Sequence, residues 1–292
     1  MQPVSVDACP CCGGMDMAWP FQPNQEMVGR FLLLSSVKYG GCMDGWEKQL
    51  TLIVAQCRNC GHIWHHTRPD QESLFMMYAK GKRLKGGAAS TVPNARILSA
   101  MRELFYYCGA VNGIKRLLDF GSGAGRWSVA AKQAGFSTTA YEPSTSRQGD
   151  IDDIEVVSDI DSLKGRLFDA INLEQVLEHV PNPLETLLGL KRFCNPDTIL
   201  RISVPDVERQ ADKLWQGFPF DGKTMHLLSP YEHLHGFRRS SLMSLLREAG
   251  LYECSSWRLR LGLTRYALER CSIGMGFPFG RTTTLARFVI NS

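Results

Sequence analysis

"LLDFGSGAGRWSVAA", Leu117 to Ala131, reads as a short apolar strand, a glycine-rich turn and the first turns of a helix, a combination that cradles nucleotide cofactors. Two phosphate-binding versions of it do not fit. The dinucleotide fingerprint is G-x-G-x-x-G; Gly121 and Gly123 match it, but Arg126 stands at the third glycine, and the glycines run Gly121-x-Gly123-x-Gly125. A P-loop needs G-K-[ST] after the turn, and "AGRWS" offers none. The neighbouring segments have to say what the turn holds.

Working outward, "RLLDF", "STTAYEP", "IEVVSD", "FDAINLEQ" and "ILRISVPD" read as strands. Between them lie helical segments, "GRWSVAAKQAG" closed by Gly135 and "NPLETLLGLKRF". Strands alternating with helices predict an α/β protein with a doubly wound parallel sheet covered on both faces. Ligands of such sheets bind at the carboxyl ends of the strands. Those ends carry Asp119, Glu142, Asp159, Glu174 and Asp206.

Taken together, D-x-G-x-G-x-G from Asp119 to Gly125, then Glu142, then Asp159, resemble the class I S-adenosylmethionine-dependent methyltransferases. "FDAINLEQVLEHVPNP" is similar to that family's fourth-strand segment and "ILRISVPD" to its fifth, and the likeness spans residues 114–292. The resemblance implies a Rossmann-like, seven-stranded sheet whose last strand is antiparallel. It also implies roles: Glu142 accepts the ribose hydroxyls, Asp159 meets the adenine, Asp119 serves the methionine end, and Gly121, Gly123 and Gly125 let the backbone approach. Glu174 and Gln175 would line the methionine side; the alternative is an exposed helix start. The charges agree, because this cofactor carries a sulfonium and an ammonium but no pyrophosphate, so acidic neighbours attract it where they would repel a dinucleotide.

Methyl transfer asks for in-line alignment, and an oxygen or activated carbon acceptor also asks for a base. "SPYEHLHGF" supplies Tyr231, Glu232, His233 and His235 within a few residues, with His226 and His179 elsewhere. This stretch resembles the Y-x-E-H-L element of zinc-binding sugar C-methyltransferases, which implies His233 as base. It departs from that element in that Tyr231 adjoins Glu232 without a spacer. The alternative reading has His233 and His235 hydrogen-bonded within the loop, and His179 packing or capping the helix after it.

Six of ten cysteines lie before residue 61. Cys9-x-x-Cys12 and Cys57-x-x-Cys60, each followed by glycine, are two knuckles that together present the four sulfurs of a tetrahedral zinc site. Cys11, Cys42 and His62 are possible substitutes for one ligand. "MVGRFLLLSSV" and "QLTLIVAQC" read as β-rich runs pairing beneath it, giving a small zinc-ribbon-like β domain over residues 1–68 with structural Zn2+. Residues 69–113 read as a helical lid or linker centred on "KGKRLKGGAAS", and 114–292 as the methyltransferase domain.

The 292 residues are 44% hydrophobic and 21% charged, the balance of a soluble globular protein. No apolar run approaches the length needed to cross a bilayer, "FLLLSSV" stopping far short, and "MQPVSVDACPCCGG" lacks the pattern of a secretory signal, so no membrane partner and a cytoplasmic location are expected. The net charge of +4 does not by itself imply nucleic acid. From Arg238 onward there are nine arginines and no lysine, which suits a phosphate-bearing partner or is ordinary surface. The expected function is methyl transfer to a small-molecule acceptor: a sugar, nucleotide-linked sugar or secondary metabolite. The alternative is an RNA methyltransferase gripping phosphates with the ribbon and these arginines, and a third reading is a cofactor-binding scaffold without activity.

Overall fold

Near-continuous apolar strands can be buried on both faces only inside a covered sheet, and the strands around the glycine turn lie there. The computed structural model describes residues 2–21, 25–80, 92–108, 113–145, 148, 151–208, 225–254 and 281–289. In chain order its first part holds β1 (Pro3–Ser5), β2 (Met17–Phe21), α1 (Gln25–Lys38), α2 (Trp46–Gln49), β3 (Val54–Cys57), β4 (Ile63–His65) and β5 (Thr67–Pro69). Two helices follow, α3 (Gln71–Lys80) and α4 (Ala95–Tyr107). The alternating part runs β6 (Arg116–Phe120), α5 (Arg126–Ala134), β7 (Ser137–Tyr141), β8 (Glu155–Val157), β9 (Phe168–Glu174), α6 (Pro183–Leu190) and β10 (Cys194–Pro205). The last elements are β11 (His235–Gly236), α7 (Arg239–Glu248), β12 (Leu251–Glu253) and β13 (Arg281–Phe288). The expected lid centre falls in 81–91, outside the described residues, as do residues 209–224 and the arginines between 255 and 280.

The main sheet has seven strands in the order β12-β13-β10-β9-β6-β7-β8. Five of them, β8 to β10 in that row, are mutually parallel, whereas β13 runs antiparallel to β10 and to β12. The antiparallel last strand therefore lies one place in from the edge, with β12 outside it. Helix α4 shows why the helices cover the sheet. Ile97, Met101 and Leu104 recur on one face, buried against Ala130 and Ala131 of α5, and the Asn94 side chain caps the helix by accepting from the Ile97 amide. Between β6 and α5 the turn requires glycine at Gly125: its φ is +82°, and a Cβ there would sit 1.9 Å from Cδ1 of Ile151.

The N-terminal part departs from the expected ribbon. "MVGRFLLLSSV" is not a strand but most of α1. Val28, Leu32, Ser36 and Tyr39 are buried at helical spacing, which outweighs the strand-like look of the apolar run. The partner of β3 is instead β2, with Met17 opposite Cys57, and β4 and β11 complete a four-stranded sheet ordered β11-β4-β3-β2. The outer strand β11 comes from the C-terminal half, pairing His235 with Trp64. The Cys60 carbonyl also accepts from the Ser240 hydroxyl of α7. The N-terminal sheet is thus anchored to the chain that follows β10.

Burial in this region stores a pH dependence. His65 is fully buried, packs edge-on against Tyr231, and is held down at about 3 by burial, with the nearby Arg68 charge adding to the effect. The unfolded chain takes up this proton below about pH 6.5, while the folded protein refuses it down to about pH 3. The contribution is therefore complete above pH 6.5 and is lost on acidification, at about 1.4 kcal/mol per pH unit for one histidine. Urea midpoints compared at pH 7.5 and 5.5 should fall less for His65→Leu than for the unaltered chain; equal falls would remove His65 from the account.

Candidate functional site

The glycine turn closes over the end of β7. The amides of Gly121 and Ser122 both donate to the Tyr141 carbonyl, at 2.8 and 3.0 Å, which lays the turn beside the residue after β7, Glu142. The Gly123 amide then donates to Oε2 of Glu142 at 2.9 Å, and the Ser144 amide to its Oε1 at 3.0 Å. The two amides fix the orientation of this carboxylate beside the turn. Glu142, Gly121, Gly123 and Gln175 line one cleft of about 310 Å³, and α3 forms its opposite wall through Leu74, Phe75 and Tyr78. Helix α3 is tied down there by the Ser144 hydroxyl, which donates to the Tyr78 carbonyl at 2.8 Å.

Other expected cofactor residues lie behind or beside this cleft. Asp119 is buried beneath the turn, accepting from Ser128 of α5 at 2.5 Å and Asn172 of β9 at 2.8 Å. Burial pushes its carboxyl above the usual carboxylate range, opposed by those two hydrogen bonds. Asn172 in turn accepts from Arg201 of β10 at 2.8 Å, and Arg201 also reaches Glu174 at 2.7 Å and lies over the Trp127 ring at 4.2 Å. Glu174 is therefore half of a buried ion pair and is not among the residues lining the cleft. Gln175 does line it, at a φ of +56°, with its amide on the Ser203 carbonyl. Asp159 is exposed past β8, where its side chain accepts from the Asp161 amide, and it too stands outside the cleft lining.

At the other end of the cleft the four expected acceptor residues separate. His179 lines the cleft, and its ring meets that of His233 edge-on, 4.5 Å between centroids at 84°. His233 is placed by a tight turn in which the amides of Glu232 and His233 both donate to the Ser229 carbonyl and Tyr231 adopts φ +62°. That turn sends Tyr231 away into the core between Trp46 and His65, where burial pushes its phenol up. Glu232 receives a hydrogen bond from the buried Tyr39 hydroxyl. His235 is a core histidine, 3.1 Å from His62 and 3.0 Å from the Val180 carbonyl.

Sequence reasoning missed Tyr78, Asn172 and Arg201 as parts of this region. Arg201 carried a signal, since an arginine inside "ILRISVP" must find a carboxylate when the strand is buried. Tyr78 had none, because only the fold brings α3 to the cleft.

The four knuckle cysteines converge. Cys9 and Cys60 have sulfurs 3.6 Å apart, Cys12 and Cys57 likewise, and all four lie within 4.8 Å of one another. Those separations are far too long for disulfides. They are close to the roughly 3.8 Å between sulfurs arranged tetrahedrally about zinc at about 2.3 Å. Cys42 packs instead in the cluster with Met43 and Trp46, His62 stacks on His235, and Cys11 is buried beside Cys9. Of the C-terminal arginines, Arg238, Arg239, Arg247 and Arg287 face Glu208, Glu253, Glu248 and Asp197. No described helix is long and apolar enough to cross a membrane.

The sequence profile of a family described as "Methyltransferase domain" matches residues 90–254, more than half of the chain. Two curated ubiquinone biosynthesis O-methyltransferases of Actinobacillus pleuropneumoniae, serotypes 5b and 7, are each 30% identical over 127 residues, 37% of this chain and 53% of theirs. The chain thus spans about half the length of the curated relatives it matches. Among solved structures, the plantazolicin methyltransferase BpumL in complex with SAH aligns with a TM-score of 0.49 at 12% identity, over 90% of this chain and 100% of that one. The 1,6-didemethyltoxoflavin-N1-methyltransferase of Burkholderia thailandensis aligns at 0.42 and 17%, over 67% and 79%.

Proposed function

The chain belongs to the methyltransferase-domain family, and we propose that it moves the methyl group of S-adenosylmethionine to a small-molecule acceptor, a sugar, nucleotide-linked sugar or secondary metabolite. The observation that carries this reading is the Glu142 carboxylate, oriented by two backbone amides beside the glycine turn and facing an open cleft. In this reading Glu142 accepts the ribose hydroxyls. The buried Asp119 under the turn favours a cationic cofactor over a pyrophosphate. The curated relatives are by name O-methyltransferases, which supports an oxygen acceptor whose proton leaves at the end of the cleft where His179 and His233 meet.

We also infer that Cys9, Cys12, Cys57 and Cys60 hold a structural zinc ion. Four thiolates close the coordination sphere and leave no position for substrate, so the ion's work is to hold the knuckles together beneath β2 and β3. The RNA reading draws no support from the arginines, since the four described ones with placed side chains face carboxylates.

Incubating the protein with methyl-labelled S-adenosylmethionine and panels of nucleotide sugars, small hydroxyl compounds and short RNAs tests the acceptor class. Label is expected in a small molecule; label confined to RNA would replace this reading with the RNA one.

A further inference from the structure

We propose that Glu178, His179 and His233 form a second metal site, for a first-row divalent cation, at the acceptor end of the cleft. One carboxylate oxygen and one nitrogen from each ring lie within 4.8 Å of one another. An ion about 2.1 Å from each would bring tetrahedral ligands to about 3.4 Å apart, so side-chain adjustments of about an ångström complete the site.

The hydrogen bonds of His179 say which nitrogen is offered. Its Nδ1 lies 2.8 Å from the Glu232 carbonyl, which can only accept, and 2.9 Å from the Tyr78 hydroxyl, which itself donates to that carbonyl. The ring proton therefore sits on Nδ1. Nε2, the nitrogen left to face a ligand, points to Oε1 of Glu178 at 3.9 Å. A ring nitrogen and a carboxylate oxygen placed this way can share one cation. A ring oriented through its other N–H by a backbone carbonyl is how metal-bound histidines are held.

His233 completes the set. Its ring is nearly perpendicular to that of His179, so the two do not stack and their nitrogens can address one ion. Glu178 is fully buried, and an ion would bring positive charge to its carboxylate. Two imidazoles and one carboxylate suit manganese, iron, cobalt or zinc better than calcium or magnesium. This donor set also differs in kind from the four thiolates.

Three protein ligands leave coordination positions open, and His179 is the member that lines the cleft. The role of the site, though not the binding itself, rests on the methyl-transfer reading. An acceptor hydroxyl coordinated there loses its proton to water more readily. Its oxygen then bonds to the methyl carbon as the carbon–sulfur bond breaks, releasing S-adenosylhomocysteine. His233 would thus serve as a ligand that lowers the acceptor's pKa.

The test is titration of the purified chain with Mn2+, followed by electron paramagnetic resonance, alongside calorimetric binding of S-adenosylmethionine. Manganese avoids thiolate sites, so the cysteine cluster does not compete. One tightly held Mn2+ per chain is expected, with affinity weakened at least tenfold in Glu178→Gln and in His179→Gln; the second variant lies at the cleft wall and guards against misfolding of the first. No Mn2+ binding by a chain that binds S-adenosylmethionine would overturn the metal site and leave methyl transfer standing. Equal Mn2+ affinity in the unaltered chain and both variants would also overturn it. Mn2+ binding without cofactor binding would support the site and remove the methyl-transfer reading.

Discussion

Cys57→Ser is expected to strip the protein of zinc and to lower its melting temperature by on the order of 10 °C. Structural zinc contributes apparent binding energies of about 10–16 kcal/mol in small peptides, and if about 5 kcal/mol reaches the whole fold, a shift of that size follows for a chain of this length. The structure says why it should reach beyond the knuckle. Cys57 ends β3, its amide accepts no slack because it donates to the His62 carbonyl at 2.8 Å, and the Cys60 carbonyl is bonded to Ser240 of α7. Beyond the knuckle, β4 carries β11, and β11 fixes the loop from which His233 is presented. Metal analysis should find about one zinc per chain before the substitution and almost none after. An unaltered chain that purifies without zinc, or one whose melting temperature does not fall on Cys57→Ser, would overturn the zinc site.

His233→Ala should reduce turnover by at least a hundredfold, the range expected when the group that manages the acceptor's proton is removed. Cofactor affinity should change by less than about twofold, because His233 is not among the residues lining the cleft beside Glu142. Its ring meets that of His179, which does line the cleft. The loss should therefore fall on kcat and not on binding of S-adenosylmethionine. Normal turnover in a folded variant would remove His233 from the proton's route.

The parts of the fold legible in the sequence are those whose pattern is dictated locally. Runs such as "FDAINLE", buried at nearly every position of β9, and the glycine-closed helix after the turn read correctly because a covered parallel sheet leaves one pattern for each. The Met27–Val37 run misleads because seven of its eleven residues are apolar, the exposed Leu33 and Val37 among them. Only the burial of Val28, Leu32, Ser36 and Tyr39 shows the helical face. At the site, the density of polar residues in "SPYEHLHGF" was visible, but not its division. The positive φ at Tyr231 turns that side chain into the core, while His233 goes to His179 and His235 to His62. Glu174 looked like a strand-end ligand, and its partner Arg201 lies 27 residues away on the adjacent strand, a pairing set by register alone.

The central claim is that the cleft beside Glu142 binds S-adenosylmethionine, and equilibrium calorimetry tests it most directly. The account predicts one S-adenosylmethionine per chain, no comparable binding of NAD, and an affinity reduced roughly tenfold to a hundredfold by Glu142→Ala, the loss expected for hydrogen bonds to a charged acceptor. Absence of S-adenosylmethionine binding, or an affinity indifferent to Glu142→Ala, would contradict it.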